Sequence, residues 1–492
     1  MDFNNNTYAV IEPSIMPTEI SGNSLDEENG GIKQSRVVGI NEPVVIINGY
    51  KFSPTDVSSF TLSCSGKVPT LSLTLNDTMG HFSIDSFPRD GDVITFLLAS
   101  KNEETFKSIH MDFDILKVTN IPTEEGNIVK YSFIGKAKIP FFDSEECRYL
   151  ESGTSLTHME EEAKYLGLGL VTNIDATSDT QVRIQPYISH SKFIENIVES
   201  SYIYDDAFQN WFIDQYYYLN FIDVNRIFNS KNITSIEDAQ QSLMSFVDSL
   251  SEVEEGGGTK NDNIQSKLIL TNHFRLKGFN NYIDKYSIEN NSSSIVSSHG
   301  HFRDIQIYDD ALSQLDEFKI DPLTSENMME NEEPLRGRRD EDRYQGQIKH
   351  KYAGRQSAGE DGLGNVHQNY VFSKLHNFRN NLEASKMKIK VTLVSFNPGL
   401  YKYQKVPVLM YLYDQIRKRS EDIKDEEAKK RGFNERYFDQ EKGDINSEAR
   451  LDTFLSGNYI IENIDYSYTK SKGIIQTVTL ARREWPTRYS AL

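Results

Sequence analysis

The sequence predicts an α+β fold that is mainly β: two similar antiparallel, tube-like β-barrels, with a small α/β domain inserted between them and long polar loops. Three observations carry this prediction. The first is a hairpin signal at Phe113-Asp-Ile115-Leu-Lys-Val118-Thr-Asn-Ile121, a polar turn at Glu124-Glu125-Gly126-Asn127, then Ile128-Val-Lys-Tyr131-Ser-Phe133-Ile-Gly135. Apolar residues recur at every second position on both sides of a glycine-bearing turn, as in an antiparallel pair with one buried face. The second is a return of that pattern at Tyr459-Ile-Ile461-Glu-Asn-Ile464-Asp-Tyr466, turning through Lys470-Ser-Lys-Gly473 into Ile474-Ile475-Gln-Thr-Val478-Thr-Leu480. Side by side, Phe113 meets Tyr459, Ile115 meets Ile461 and Val118 meets Ile464, with Gly126 and Gly473 falling together within one residue. The third is a change of period from two to helical spacing after Ser152.

An upstream strand extends the match. Gly91-Asp-Val93-Ile-Thr-Phe96 resembles Gln404-Lys-Val406-Pro-Val408-Leu-Met-Tyr411, and each follows a proline-bearing loop, Phe87-Pro88-Arg89-Asp90 and Asn397-Pro398-Gly399. Two copies are too few for a solenoid, so duplication of one unit is the expectation. The alternative is two unrelated antiparallel sheets.

In chain order, residues 1–40 are polar and read as an extended arm, either disordered or laid on a partner. Residues 41–142 hold the first barrel, with a turn at Asn48-Gly49 and alternating strands at Phe60–Cys64 and Leu71–Leu75. A strongly twisted sheet of five or six strands tends to close on itself, which removes exposed edges.

Residues 143–227 form the α/β insert. Its first helix follows Ser152-Gly-Thr154-Ser155, with Thr154 or Ser155 as N-cap and Gly167 as its end. A short strand at Gln181–Ile184, a second helix over Ser189–Ala207, and paired strands at Gln209–Asp214 and Tyr216–Asp223 complete it.

Residues 228–264 are a polar excursion with one helix over Ile236–Leu250, and 265–322 carry intervening strands. Residues 323–369 alternate in charge without apolar period and read as a surface loop. The second barrel occupies 370–485, entered through a short helix at Val371–Ser385 and the strand Met387–Ser395. It is interrupted by a charged helical insertion over 414–450 with Lys and Glu at i, i+4 spacing, and a tail of 486–492 follows it.

Composition excludes several classes. The formal charge of −20 argues against gripping nucleic acid by neutralising phosphates. The 26 Tyr and 27 Phe point to sheets with aromatic interfaces rather than to disorder. Two cysteines, Cys64 and Cys147, suit a reducing compartment, while the spacing leaves a disulfide open. The first residues lack the basic and apolar regions of a secretory signal, and no run approaches the ~20 apolar residues of a membrane span. A soluble chain made in the cytoplasm, without membrane anchoring, is the expectation.

No catalytic, cofactor-binding or metal-binding residues are assigned. His110-Met-Asp112-Phe-Asp114 puts three possible ligands on one strand face, read as the solvent face because Met111, Phe113 and Ile115 take the other. His299-Gly-His301 has no third ligand nearby, and His158-Met-Glu-Glu-Glu lacks the second histidine of a zinc-protease helix. Gly359–Gly364 follows no strand and opens no helix, so it is not a phosphate cradle. Cys64 reads as a small buried apolar residue, and 73 acidic side chains guarantee chance carboxylate pairs.

The order of parts, on Phe60-Thr-Leu-Ser-Cys-Ser-Gly, Leu71-Ser-Leu-Thr-Leu-Asn-Asp77, Phe87-Pro-Arg-Asp-Gly-Asp-Val-Ile, Phe193-Ile-Glu-Asn-Ile through Tyr218-Leu-Asn-Phe-Ile-Asp223, and Gly457-Asn-Tyr-Ile-Ile-Glu-Asn-Ile-Asp465, resembles the baseplate hub of contractile-tailed bacteriophages, with the T-even hub as type case. It is also similar to the hub half of type VI secretion spike proteins. The resemblance is one of pattern and order over about residues 41 to 485. It implies a structural virion protein without enzymatic activity: a homotrimer in the tail baseplate, assembled in the host cytoplasm. Such a protein joins a hexameric tail tube to a trimeric cell-puncturing spike, beside surrounding baseplate or wedge proteins. DNA is a partner only as it passes through the channel during genome ejection, where acidic walls would repel it. The rival readings are a virion-associated cell-wall hydrolase and another axial tail component, such as a tube initiator or an injection-system hub.

Overall fold

A computed structural model describes residues 7–19, 43–84, 87–89, 91–98, 108–122, 129–229, 236–253, 268–277, 279–291, 294, 303–309, 314–320, 347–350, 367, 370–394, 396–397, 399–412, 450–452 and 455–482. The expected turn at Glu124–Asn127 and the expected helical insertion up to residue 449 lie outside these residues, as do His299, His301 and Gly359–Gly364.

After a short strand β1 (Tyr8–Ile11) the first sheet runs β2 (Val44–Ile47), β3 (Tyr50–Phe52), β4 (Val57–Ser63), β5 (Thr70–Asp77), the single turn α1 (His81–Ile84), β6 (Val93–Leu98), β7 (Ile109–Pro122) and β8 (Val129–Ala137). The β2–β3 turn places Asn48 at φ 52 and Gly49 at φ 79, the left-handed pair that a tight two-residue hairpin requires. Pairing order is β4-β5-β8-β7-β6-β2-β3, all antiparallel. Along β5 the period of two is plain: Leu71, Leu73 and Leu75 are buried while Thr70 and Ser72 face out.

The insert follows as β9 (Glu145–Gly153), α2 (Ser155–Leu166), β10 (Gly169–Thr172), β11 (Gln181–Ser189), α3 (His190–Ser200), β12 (Gln209–Ile213), β13 (Tyr218–Asp223) and α4 (Val224–Phe228). Thr154 caps α2 by accepting from the Thr157 N–H, and Gly167 ends it at φ 72. The second helix is shorter than expected. It ends at Ser200 rather than Ala207, because Ser201 leaves helical geometry and turns its hydroxyl back on the Val198 carbonyl. Residues of the amino-terminal arm lie on this unit of their own chain: β1 pairs with β10, and the Ser14 and Ile15 N–H groups donate to the Gly167 carbonyl.

Beyond the insert come α5 (Ile236–Val253), β14 (Leu270–Thr271), β15 (Ile283–Asn290), β16 (Arg303–Asp309), β17 (Gln314–Ile320) and β18 (Gln347–His350). Within the region expected to be a surface loop, β18 pairs in parallel with β16, so that segment supplies a strand. Then α5 is followed in the helix series by α6 (Tyr370–Lys386), and the chain ends in β19 (Met387–Leu393), β20 (Lys405–Leu409), β21 (Tyr411–Leu412), β22 (Arg450–Leu451), β23 (Gly457–Thr469) and β24 (Gly473–Arg482).

The fold class is as expected: mainly β, with few helices around a large curled antiparallel sheet. The two copies do not stand apart, however. β23 pairs with β4, and the strands of both copies run together as one 13-stranded sheet. A single apolar core reaches from Val45 through Phe193 in the insert to Leu480 in the second copy. Burial at roughly 25 cal/mol per Å2 over so extended a core is the dominant stabilising term.

Candidate functional site

The duplication holds strand for strand. In the first copy the order is β4-β5-β8-β7-β6, and in the second β15-β19-β24-β23-β20. In both, the five strands occur along the chain in the same sequence relative to those positions. Register matches as well. Leu71, Leu73 and Leu75 of β5 oppose Gly135, Phe133 and Tyr131, while Ile389, Val391 and Leu393 of β19 oppose Leu480, Val478 and Gln476.

Two irregularities recur at equivalent places. The β7–β8 ladder shifts register between Ile115 and Lys117, and the β23–β24 ladder between Ile461 and Asn463. The β4–β5 ladder shifts between Val57 and Ser59, and the β15–β19 ladder between Ile283 and Lys285. A bulge inserts one residue and re-aims every side chain beyond it. Amphipathic hairpins in general share a period, but not two bulges at matched positions. The β7–β8 and β23–β24 pairs therefore share one topology. The upstream strand pairs Ile94 with Phe113 and Val406 with Tyr459, which sets Ile94 against Val406.

The joint between copies is built from the far half of β23 and the outer edge of β4. Asp465 to Thr469 pair with Ser63 to Ser59, antiparallel. On the core face Phe60 stacks on Tyr468 at 5.6 Å between ring centres, and Tyr466 and Leu62 are both buried. Burial pushes the Tyr466 hydroxyl well above the usual tyrosine range. On the other face the Ser63 hydroxyl donates to Asp465 at 2.5 Å.

Lys402 closes the joint from the second copy, donating to the carbonyls of Cys64, Ser65 and Gly66 at 3.1, 3.3 and 3.0 Å. Desolvation lowers this ammonium to about 8 against the nearby Cys64, Glu462 and Asp465, which favour its charge. Cys64 is buried beside it, and burial pushes its thiol up to about 12; Cys64 and Cys147 are both free thiols.

The histidine–aspartate strand face is not solvent. Asp112 is buried, accepting from the Thr95 hydroxyl at 2.7 Å and from the N–H and hydroxyl of Thr18 at 2.9 and 2.8 Å. The Asp112 N–H donates to the Tyr217 hydroxyl. The arm and the insert cover this face, a tertiary event that strand periodicity does not encode. Among the described residues no group of three His, Cys, Asp or Glu side chains is placed to hold a metal ion.

A polar cluster inside the insert was not legible from apolar spacing. The α2 face carries Ser155, His158 and Glu162 inward, all fully buried. Asp179 accepts from the Ser155 N–H, and also from its hydroxyl; Arg183 donates to His158 Nδ1 at 3.0 Å and to Ser155 Oγ at 2.6 Å. Serine, histidine and aspartate thus come together, but His158 faces Arg183 and the Glu151 carbonyl rather than the serine hydroxyl. That arrangement holds a helix start in place and leaves no activated nucleophile in it. Burial lowers the His158 imidazole below the usual histidine range.

The uncovered face of the sheet is rich in hydroxyls and lysine, with Thr61, Thr70, Ser72, Lys117, Thr119 and Lys390 exposed. Asp465 and Glu289 lie on this face as well.

No family model matches the chain, and no curated protein matches it in sequence. By structure it is similar to the tail protein from Neisseria meningitidis MC58, at 8% identity and TM-score 0.45, covering 91% of this chain and 98% of that one. It is similar to the 43 kDa tail protein of prophage MuSo2 from Shewanella oneidensis, at 10% identity and TM-score 0.46, covering 90% and 98%. It is also similar to the E. coli c3393 protein, a type VI secretion system component, at 9% identity and TM-score 0.40, covering 90% and 78%. These structural neighbours are two tail proteins, one of them from a prophage, and a type VI secretion system component.

Proposed function

We propose that this chain is a structural tail component, the axial hub that stands between a sixfold tail tube and a threefold spike. The observation that carries the reading is the internal duplication with both bulges kept. A threefold ring of chains, each holding two matched five-strand units side by side, presents six similar units to a sixfold neighbour. Matched backbones meet the tube, while independent sequences leave each copy free to bind different neighbours: spike, tube, or surrounding baseplate proteins. Passage of DNA belongs to this reading, and the hydroxyl-rich face, which also carries Lys117 and Lys390, is the sheet surface offered to a channel.

The test is mass measurement of the pure chain, alone and mixed with its spike protein, followed by imaging of assembled particles. A trimer located on the particle axis at the end of the tube is the expected result. A stable monomer or hexamer, or a peripheral position, overturns the reading.

A further inference from the structure

The joint between β23 and β4 has an unfilled counterpart. By strand equivalence β7 corresponds to β23 and β15 to β4. Beyond its pairing with β6, which stops at Asp114, one edge of β7 meets no strand among the described residues. The far edge of β15 likewise meets no strand among the described residues. β23 uses the first of these edges, and β4 the second, to join the copies within the chain.

We propose that β7 of one chain pairs antiparallel with β15 of the next, repeating the intramolecular joint between subunits. This rests on the hub reading and names the surface that closes its ring. Register follows from the equivalences: Thr119 opposite Glu289, Asn120 opposite Ile288, Ile121 opposite Ser287. Pro122, which has no N–H to give, ends the ladder.

Three features of the edges support the pairing. First, Tyr286 and Ile288 are 44% exposed where their counterparts Phe60 and Leu62 are 2% and 0% exposed. A strand edge bearing exposed large apolar side chains recruits another strand unless something covers it. Second, Ile121 is 45% exposed on the opposing edge. Third, the hydroxyl–carboxylate pair Ser63–Asp465 reappears with its partners exchanged, as Thr119 and Glu289. The two edges differ from each other, so the contact is head-to-tail and generates a ring rather than an isologous dimer.

Cysteine pairing tests this in the full chain carrying Cys147→Ser, which removes the exposed native thiol and leaves the buried Cys64. All three positions used are exposed strand positions, so folding is not at risk. Oxidised Thr119→Cys/Glu289→Cys is expected to give covalent dimers and trimers on a non-reducing gel. The shifted pair Thr119→Cys/Ser287→Cys is expected to give ~fivefold less, because diagonal neighbours exceed disulfide reach. Mixing the two single variants is expected to stop at dimers. A trimer by native mass that fails to cross-link at this register overturns the strand joint and leaves the hub reading standing. Cross-linking at this register within a ring of another size keeps the joint and overturns the trimer. A chain that stays monomeric overturns both.

Discussion

The two copies within this chain share a backbone order and two bulges, yet they present opposite surroundings at the same edge. In the first copy the outer edge of β4 is covered by β23, and Phe60 sits in the core against Phe96 and Tyr468. In the second copy the equivalent strand, β15, ends the sheet among the described residues, with Tyr286 and Ile288 exposed. A further contrast lies at the opposite end. β2 joins β6 antiparallel, while β14, the strand beside β20, runs parallel to it. The duplicated part is thus the five-strand unit and its irregularities; what flanks the unit has diverged. Backbone geometry that must meet a symmetric neighbour is retained, and edges are specialised.

Substitutions at matched positions break or sharpen this contrast. Phe60→Ala is expected to cost ~3–5 kcal/mol in urea unfolding of the dilute chain, since it opens a core cavity at the joint. Tyr286→Ala at the matched position is expected to change that stability by less than about 0.5 kcal/mol, its effect falling on assembly instead. Equal losses at the two positions would show that the second edge is covered within the chain itself.

A smaller effect distinguishes the hairpins. Gly135 opposes Ile115, and a methyl group there would stand 2.9 Å from the Phe113 Cβ, whereas the second copy holds Leu480 at the matched position. Gly135→Ala is expected to cost ~1–3 kcal/mol by overpacking. Leu480→Ile, measured the same way, is expected to cost under about 1.5 kcal/mol as a volume-conserving swap.

Lys402 belongs to the second copy alone in function, since it ties that copy to the β4–β5 turn of the first. Lys402→Met is expected to cost ~1–3 kcal/mol through carbonyls that lose their donor. The smallest expected effect is on pH dependence. Below about 8 the folded and unfolded chains both carry this charge, and the lysine contributes no slope. Between about 8 and the ordinary 10.5 the unfolded chain holds a proton that the folded chain has released. Stability gained through this group therefore rises with pH across that window and is flat below it. Subtracting the Lys402→Met profile from the wild-type profile isolates the rise; a fall with pH would show that the ammonium form is favoured in the joint.

The legible and illegible parts of the molecule divide by the range of the interaction concerned. Alternation at Leu71–Leu75 and Ile389–Leu393, the Asn48-Gly49 turn and the Gly167 helix end are local, and each was readable because a two-residue period or a left-handed φ leaves a mark in a few residues. The burial of Asp112 leaves no such mark, because Thr18 and Tyr217, far away in sequence, cover it. The buried face of α2 was half legible. Met159, Ala163 and Leu166 mark a core stripe by their spacing, while Ser155, His158 and Glu162 join it only through Asp179, Arg183 and His190.

The sequence alone determined that this protein is a duplicated, mainly antiparallel β structure with a helical insert, because side-chain period, turn residues and caps act over a handful of neighbours. Only the tertiary structure decided that the copies share one sheet, and which edges were used and which left open. Strand edges pair through backbone groups that every residue carries, so no residue type announces its partner, and register across β23 and β4 follows from bulges and core packing assembled over 400 positions of chain separation.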